Sequence, residues 1–292
     1  MKFKKITNVC LACDDNYAKY AGVTIASFLK NATDDEFFNF YILDNQISSK
    51  NKKKINSLKN IKDCNIEFKK IDKNKFENFY LPKKKGYLSI SSYFRFLIPN
   101  LLQDIDRILY VDCDVIATTS VWELYNINLD NKYAAVVKDT SCDENKKRLN
   151  FGEDDIYFNA GVILINLEQW RKNNIGEKLF LTVGEGLDDQ DILNIVLKGT
   201  TLLVNDKWNW QGKAKHYEEK EFPNLIHFIT AYKPWLTGSK QGFNNEYFKA
   251  LALTPWNNWY DQHIRRFLPV IHKDRKYIHF CFCGLKTRLC YK

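Results

Sequence analysis

No apolar run in the 292-residue chain approaches the eighteen or so residues of a membrane span; the best, AGVILINL at 160–167, has the length of a strand. The start, MKFKKITNVCLACDD, carries the basic residues of a signal peptide. Its apolar stretch is too short for an h-region and meets Asp14 and Asp15 at once, so no secretion signal is read. Internal repeats and low-complexity linkers are also lacking. No G-x-G-x-x-G follows the first strand and no G-x-x-x-x-G-K-[ST] occurs anywhere, which excludes the dinucleotide and P-loop ways of cradling phosphate. Cys10 and Cys13 form a C-x-x-C, but no second pair stands at zinc-ribbon spacing, and both fall in or beside an apolar strand, where packing is the simpler role. The eight cysteines are therefore read as reduced thiols of a reducing compartment.

Among the residues present, 20 Phe, 16 Tyr and 7 Trp supply far more packing surface than a disordered or fibrous chain carries. The net charge of +9 suits a nucleic acid, an anionic lipid or a phosphorylated substrate, so position decides. Lysine runs at 50–54 and 82–86 read as solvated faces. From His263 onward, basic residues interleave with Phe, Tyr, Ile and Leu around a single acid. That pattern predicts attachment to an anionic membrane surface, with a packed C-terminal helix as the alternative. No nucleic-acid module is recognised, and no nucleic-acid partner is expected.

Along the chain, ITNVCLAC reads as a buried strand, YAKYAGVTIASFLKNA as a helix and FFNFYIL as a strand. The pattern continues through NIEFKKI, a helix SISSYFRFLIPNLL expected to stop at Pro99, and the strand RILYV. Further strands are expected at YAAVVKD, YFNAGVILIN, TLLVN and LIHF, with helices at LEQWRKNN and DDQDILNIVLKG. Alternation of this kind predicts an α/β fold with a mainly parallel sheet flanked by helices. One domain is placed at 1–250, and a small basic aromatic C-terminal appendage at 251–292.

Ligands of open α/β sheets bind at the carboxyl ends of strands. There stand Asp14, the pair Asp112 and Asp114, and Asp139, with Asn159, Ala160 and Gly161 at the head of their strand. In an extended chain Asp112 and Asp114 face the same way while Cys113 turns inward. At about 6 Å and an effective dielectric of about 20 their repulsion is roughly 3 kcal/mol, which a hard divalent cation would convert into attraction. An Asp turn or a helix cap also accounts for such a pair, and Asp-x-Asp recurs at 104/106 and 189/191. His227 alone reads more readily as a packed histidine than as a ligand; Arg95 alone reads as a surface ion-pair partner as readily as a site residue.

Taken in order, VCLACDDNYAKYAGVTIASFLKN, SSYFRFLIP, LYVDCDV, YFNAGVILINLEQWR, DDQDILN and HFITAYKPW resemble glycosyltransferase family 8 over about residues 5–240. These are retaining α-glycosyltransferases, among them bacterial lipopolysaccharide galactosyl- and glucosyltransferases. The resemblance implies a GT-A type nucleotide-sugar fold, a UDP-hexose donor and Mn²⁺, with Mg²⁺ as the other candidate ion. It implies metal ligation by Asp112, Asp114 and His227, and uridine binding by Ala12, Asp14, Asn16 and Tyr17. Arg95, Cys113, Asp139, Asn159, Ala160, Gly161 and Lys233 would complete the donor site, and Asp189 and Gln190 would face the reacting sugar carbon with Asp139. The implied activity moves galactose or glucose to a hydroxyl of a lipid-linked glycan such as lipopolysaccharide core, on the cytoplasmic face of the plasma membrane. A nucleotide-sugar or glycan binding protein with little turnover is the alternative. Thr230 departs from the pattern, because the family carries Gly three residues after the histidine.

Overall fold

The computed structural model describes residues 4–76, 79, 90–211, 222–229, 233–236, 239, 242–257, 270–273, 277–282 and 285–290. Thr230, and residues 263–269 of the basic tail, lie outside them.

The chain opens with β1 (Lys5–Asp14), α1 (Ala18–Asn31), β2 (Glu36–Asn45), α2 (Ser49–Asn56) and β3 (Cys64–Lys70). A 3-10 helix at Ile90–Leu97 runs into α3 (Ile98–Leu101), β4 (Arg107–Val111), β5 (Val115–Ala117) and α4 (Trp122–Tyr125). Then come β6 (Ala134–Lys138), α5 (Cys142–Arg148), β7 (Phe158–Asn166), α6 (Leu167–Lys172), α7 (Ile175–Leu181), α8 (Asp189–Val196), β8 (Thr201–Leu203), β9 (Leu225–His227) and α9 (Asn244–Leu251).

The main sheet has the order β3-β2-β1-β4-β7-β6-β8. β3, β2, β1 and β4 run parallel; β7 is antiparallel to both β4 and β6. Alternation along the strands divides the core. Val9, Leu11 and Cys13 face a cluster with Ala21, Ile25 and Phe28 of α1, whereas Cys10 and Tyr110 face a cluster with Phe94, Trp170 and Ile192. Helices therefore cover both faces, as the strand–helix alternation predicts. Burying a side chain such as Ile25 or Leu109 contributes roughly 1.5–3 kcal/mol.

Cys10 and Cys13 are free and buried, and burial pushes the Cys10 thiol up. That is the packing role expected of them.

Three expectations change. Pro99 does not stop a helix: it lies in the first turn of α3, where its missing N–H has no helical partner to lose. Asp112 to Asp114 form a turn rather than extended strand, closed by Val115 N donating to Asp112 O at 3.3 Å. The chain must turn there because β4 belongs to the main sheet while β5 pairs with β9 in a separate ladder. In the tail, strands β10 (Val270–Lys273), β11 (Tyr277–Phe282) and β12 (Leu285–Cys290) form an antiparallel sheet where a packed helix was the alternative. Among the described residues no helix is long and apolar enough to cross a membrane.

Candidate active site

Two strand pairings assemble the site. In the β5–β9 ladder Val115 faces His227, and Phe228 N donates to Asp114 O at 3.1 Å, so the histidine lands beside the aspartate pair. On the other side Val111 of β4 faces Val162 of β7, and Asp112 N donates to Gly161 O at 2.8 Å, which brings Asn159, Ala160 and Gly161 to the same turn. Glycine is required at 161. A Cβ built there would lie 2.0 Å from His227 Cε1, so the imidazole occupies the space a side chain would fill.

A cavity of about 340 Å³ opens at these strand ends. It is lined by Ala12, Asp14, Tyr17, Arg95, Asp112, Cys113, Asp114, Asp139, Asn159, Ala160, Gly161, Asp189, Gln190, His227 and Lys233. Of the residues named from the sequence, Asn16 alone is not brought in. It sits exposed in the turn after β1, where Asp14 Oδ1 instead accepts from Tyr17 N at 2.9 Å and turns the tyrosine toward the cavity.

Asp112, Asp114 and His227 offer ligand atoms that all lie within 4.8 Å of one another. His227 Nε2 is 3.2 Å from Asp114 Oδ1 and 3.9 Å from Asp112 Oδ2. Neighbouring ligands held about 2.1 Å from one octahedral ion sit about 3.0 Å apart, so these spacings suit a small divalent cation. Asp114 Oδ1 is buried and has no hydrogen-bond partner, an arrangement that a cation would satisfy. Burial opposes the charge of Asp114, yet Lys233 and then His227 outweigh it and hold the carboxyl well below its ordinary range. Lys233 Nζ lies 2.5 Å from Asp114 Oδ2 and also donates to Phe228 O.

Arg95 is 3% exposed and ties the wall together. Its guanidinium lies 4.2 Å from the centre of the Tyr110 ring, donates to Ala160 O at 2.5 Å, and reaches Asp112 at 3.1 Å and Asp189 at 3.2 Å. Asp189 opens α8, beside the N-cap Asp188. Burial pushes its carboxyl up to about 6 even though Arg95 pulls the other way.

Beside it, amides hold the lining together. Gln190 Nε2 donates to Asp139 Oδ2 and to Tyr157 Oη, both at 3.2 Å, and Gln190 Oε1 accepts from Ala160 N at 3.0 Å. Tyr157 donates in turn to Asp191 at 2.6 Å, and Asp191 also pairs with Arg148. Tyr157, Asp191, Arg148 and Asn209 were not singled out from the sequence. A signal existed for two of them: Tyr157 immediately precedes Phe158-Asn159-Ala160-Gly161, and Asn209 is the lone polar residue between Trp208 and Trp210.

The chain matches Glycosyl transferase family 8 over residues 8–238. It is 29% identical over 280 residues to general stress protein A of Bacillus subtilis, covering 88% of this chain and 97% of that protein. To lipopolysaccharide 1,3-galactosyltransferase of Salmonella typhimurium it is 28% identical over 271 residues, covering 86% and 79% respectively. The fold matches that of galactosyltransferase LgtC, crystallised with donor and acceptor sugar analogues, with a TM-score of 0.76, 24% identity, and coverage of 88% of this chain and 99% of that one. The mostly parallel sheet, the helices on its two faces and this GT-A type architecture agree with the family match, and the chain belongs to glycosyltransferase family 8.

Proposed function

We propose that the protein is a retaining α-glycosyltransferase that moves galactose or glucose from a UDP-sugar to a hydroxyl of a lipid-linked glycan. The observation that carries this reading is the convergence of Asp112, Asp114 and His227, with Asp114 Oδ1 unpartnered, on one wall of the cavity. Carboxylates with one imidazole suit Mn²⁺ and also accommodate Mg²⁺. Either ion would supply positive charge beside the departing diphosphate.

The chain's own residues supply the rest. Lys233 and Arg95 bring fixed cations to the wall where negative charge develops on UDP, and they are already oriented by Asp114 and Asp112. Ala12, Asp14 and Tyr17 line the cavity at and just after the end of β1, where they would hold the uracil base of the donor. Tyr17, whose hydroxyl is pushed up to about 12 chiefly by burial, stays neutral as it lines that end. Asp139, Asp189 and Gln190 line the cavity, where they would face the sugar as cationic character grows at the anomeric carbon. Both ends of the Gln190 amide are engaged by Ala160, Asp139 and Tyr157, and Asp189 is engaged by Arg95. These engagements favour attack by the acceptor on the face the diphosphate leaves, with Gln190 and Asp189 stabilising charge rather than bonding to carbon.

The basic aromatic region after His263 would hold the enzyme at the anionic inner face of the plasma membrane, near a lipid-linked acceptor. UDP release from UDP-glucose and UDP-galactose, measured with Mn²⁺ and with chelator, tests the proposal. Turnover that survives chelation, or that survives Asp112→Asn, contradicts it.

A further inference from the structure

His227 is held by a chain of side-chain amides whose donor and acceptor roles can be assigned from one end. Gly161 N–H can only donate, and it reaches Asn159 Oδ1 at 3.0 Å; the carboxylate of Asp139 can only accept, and it meets Asn159 Nδ2 at 3.0 Å. The Asn159 amide is thereby oriented from both ends. Its Oδ1 also accepts from Asn209 Nδ2 at 2.9 Å, which leaves Asn209 Oδ1 as an acceptor. His227 Nδ1 lies 3.0 Å from that oxygen and so carries a hydrogen. The ring keeps this hydrogen whatever its charge, and Nε2 is the nitrogen whose lone pair is presented to Asp112 and Asp114. The backbone fixes the arrangement as well: Trp210 N donates to Leu225 O at 2.8 Å and His227 N to Trp210 O at 2.9 Å, so Asn209, fully buried, cannot drift from the imidazole.

We infer that Asn209 is a positioning residue: through Asn159 it links Asp139 to His227 and selects Nε2 as the nitrogen offered to a divalent cation. The inference rests on reading Asp112, Asp114 and His227 as a cation site, and adds what keeps the third ligand in the competent tautomer. A polar group that merely filled buried space beside two tryptophans would not need this directionality.

The test has two independent readouts. In ion-free protein, ¹⁵N-resolved NMR of the imidazoles, only five in the chain, locates the hydrogen on neutral His227. Nδ1–H is expected in the wild type; Nε2–H overturns the inference without any metal measurement. Mn²⁺ affinity in the presence of UDP, read from the free-ion EPR signal, is expected to fall about 10- to 100-fold in Asn209→Ala, as for other residues that orient metal ligands. Asn209→Asp keeps an acceptor toward Nδ1 but sets an oxygen against Asn159 Oδ1 in place of the donated hydrogen, so it is expected to retain the tautomer and recover only part of that affinity. An alanine variant that binds Mn²⁺ within twofold of wild type, or an aspartate variant whose neutral His227 carries its hydrogen on Nε2, overturns it. Should the alanine variant not fold, the wild-type tautomer and the aspartate variant still decide. Wild type with the Nδ1–H tautomer but no Mn²⁺ binding refutes the cation reading instead.

Discussion

The two walls of the cavity are built from different chemistry. One, formed by Arg95, Asp112, Asp114, Asp189 and Lys233, is ionic and held by ion pairs of 2.5 to 3.2 Å. The other, formed by Asn159 and Gln190 and backed by the buried Tyr157 and Asn209, is mostly neutral and held by directional hydrogen bonds. Charge tolerates small displacements and acts over distance, whereas amide chains transmit orientation and fail if one link turns. The ionic wall suits a departing diphosphate. The amide wall suits a sugar whose hydroxyls must be aimed.

The sharpest way to break this contrast is Asp114→Asn, which alters one of the proposed cation ligands and leaves Lys233 buried without its carboxylate. UDP release with Mn²⁺ is expected to fall about 10³-fold or more, roughly 4 kcal/mol of transition-state stabilisation. Gly161→Ala probes the seam between the walls. Its new methyl must displace the His227 ring, and a loss of about 10²-fold in turnover is expected, with Mn²⁺ affinity reduced in parallel.

Asp189 separates the walls by pH. Its folded pKa, about 6, lies above its ordinary value of 3.8, so between those values the native state holds a proton that the unfolded chain has released. The contribution of Asp189 to stability is therefore expected to fall by about 2–3 kcal/mol as pH rises from about 4 to about 6, and then to level. Asp189→Asn should flatten that segment in urea titrations taken across the window. Tyr157→Phe removes one donor to Asp191 and one acceptor for Gln190, while leaving every charge in place. A cost of about 1 kcal/mol is expected, seen as a roughly fivefold drop in kcat with the dissociation constant for UDP unchanged. Asn16→Ala, on neither wall, should change UDP affinity less than twofold by calorimetry.

The same contrast governs what was legible beforehand. Asp112 and Asp114 stand out because charge at the end of an apolar strand is costly, and the strand–helix alternation marks where such ends gather. Even so, their convergence comes from a change of sheet at residues 112–114 rather than from strand pleat. Asn209 and Tyr157 carry no such mark. Their roles depend on which atoms face them across the fold, and an asparagine between two tryptophans or a tyrosine before a strand is common without any site. Asn16, though close to Asp14 and Tyr17 along the chain, is exposed and is not among the residues that line the cavity. Apolar spacing at Ile90–Leu97 marks a helix without separating 3-10 from α, and Arg95 was named there through the family resemblance rather than from its own spacing.

Where β7 leaves β6, the register jumps: Val136 faces Ile163, yet the next residue, Val137, faces Asn159. Three residues of β7, Ala160 to Val162, therefore have no counterpart on that edge, and Ala160 N, Gly161 N and Ala160 O turn to Gln190, Asn159 and Arg95 instead. Losing or gaining one residue here would slide histidine seat, amide chain and guanidinium clasp out of phase together, while the ladder beyond Ile163 stayed zipped. Length, more than composition, is what this short stretch cannot vary.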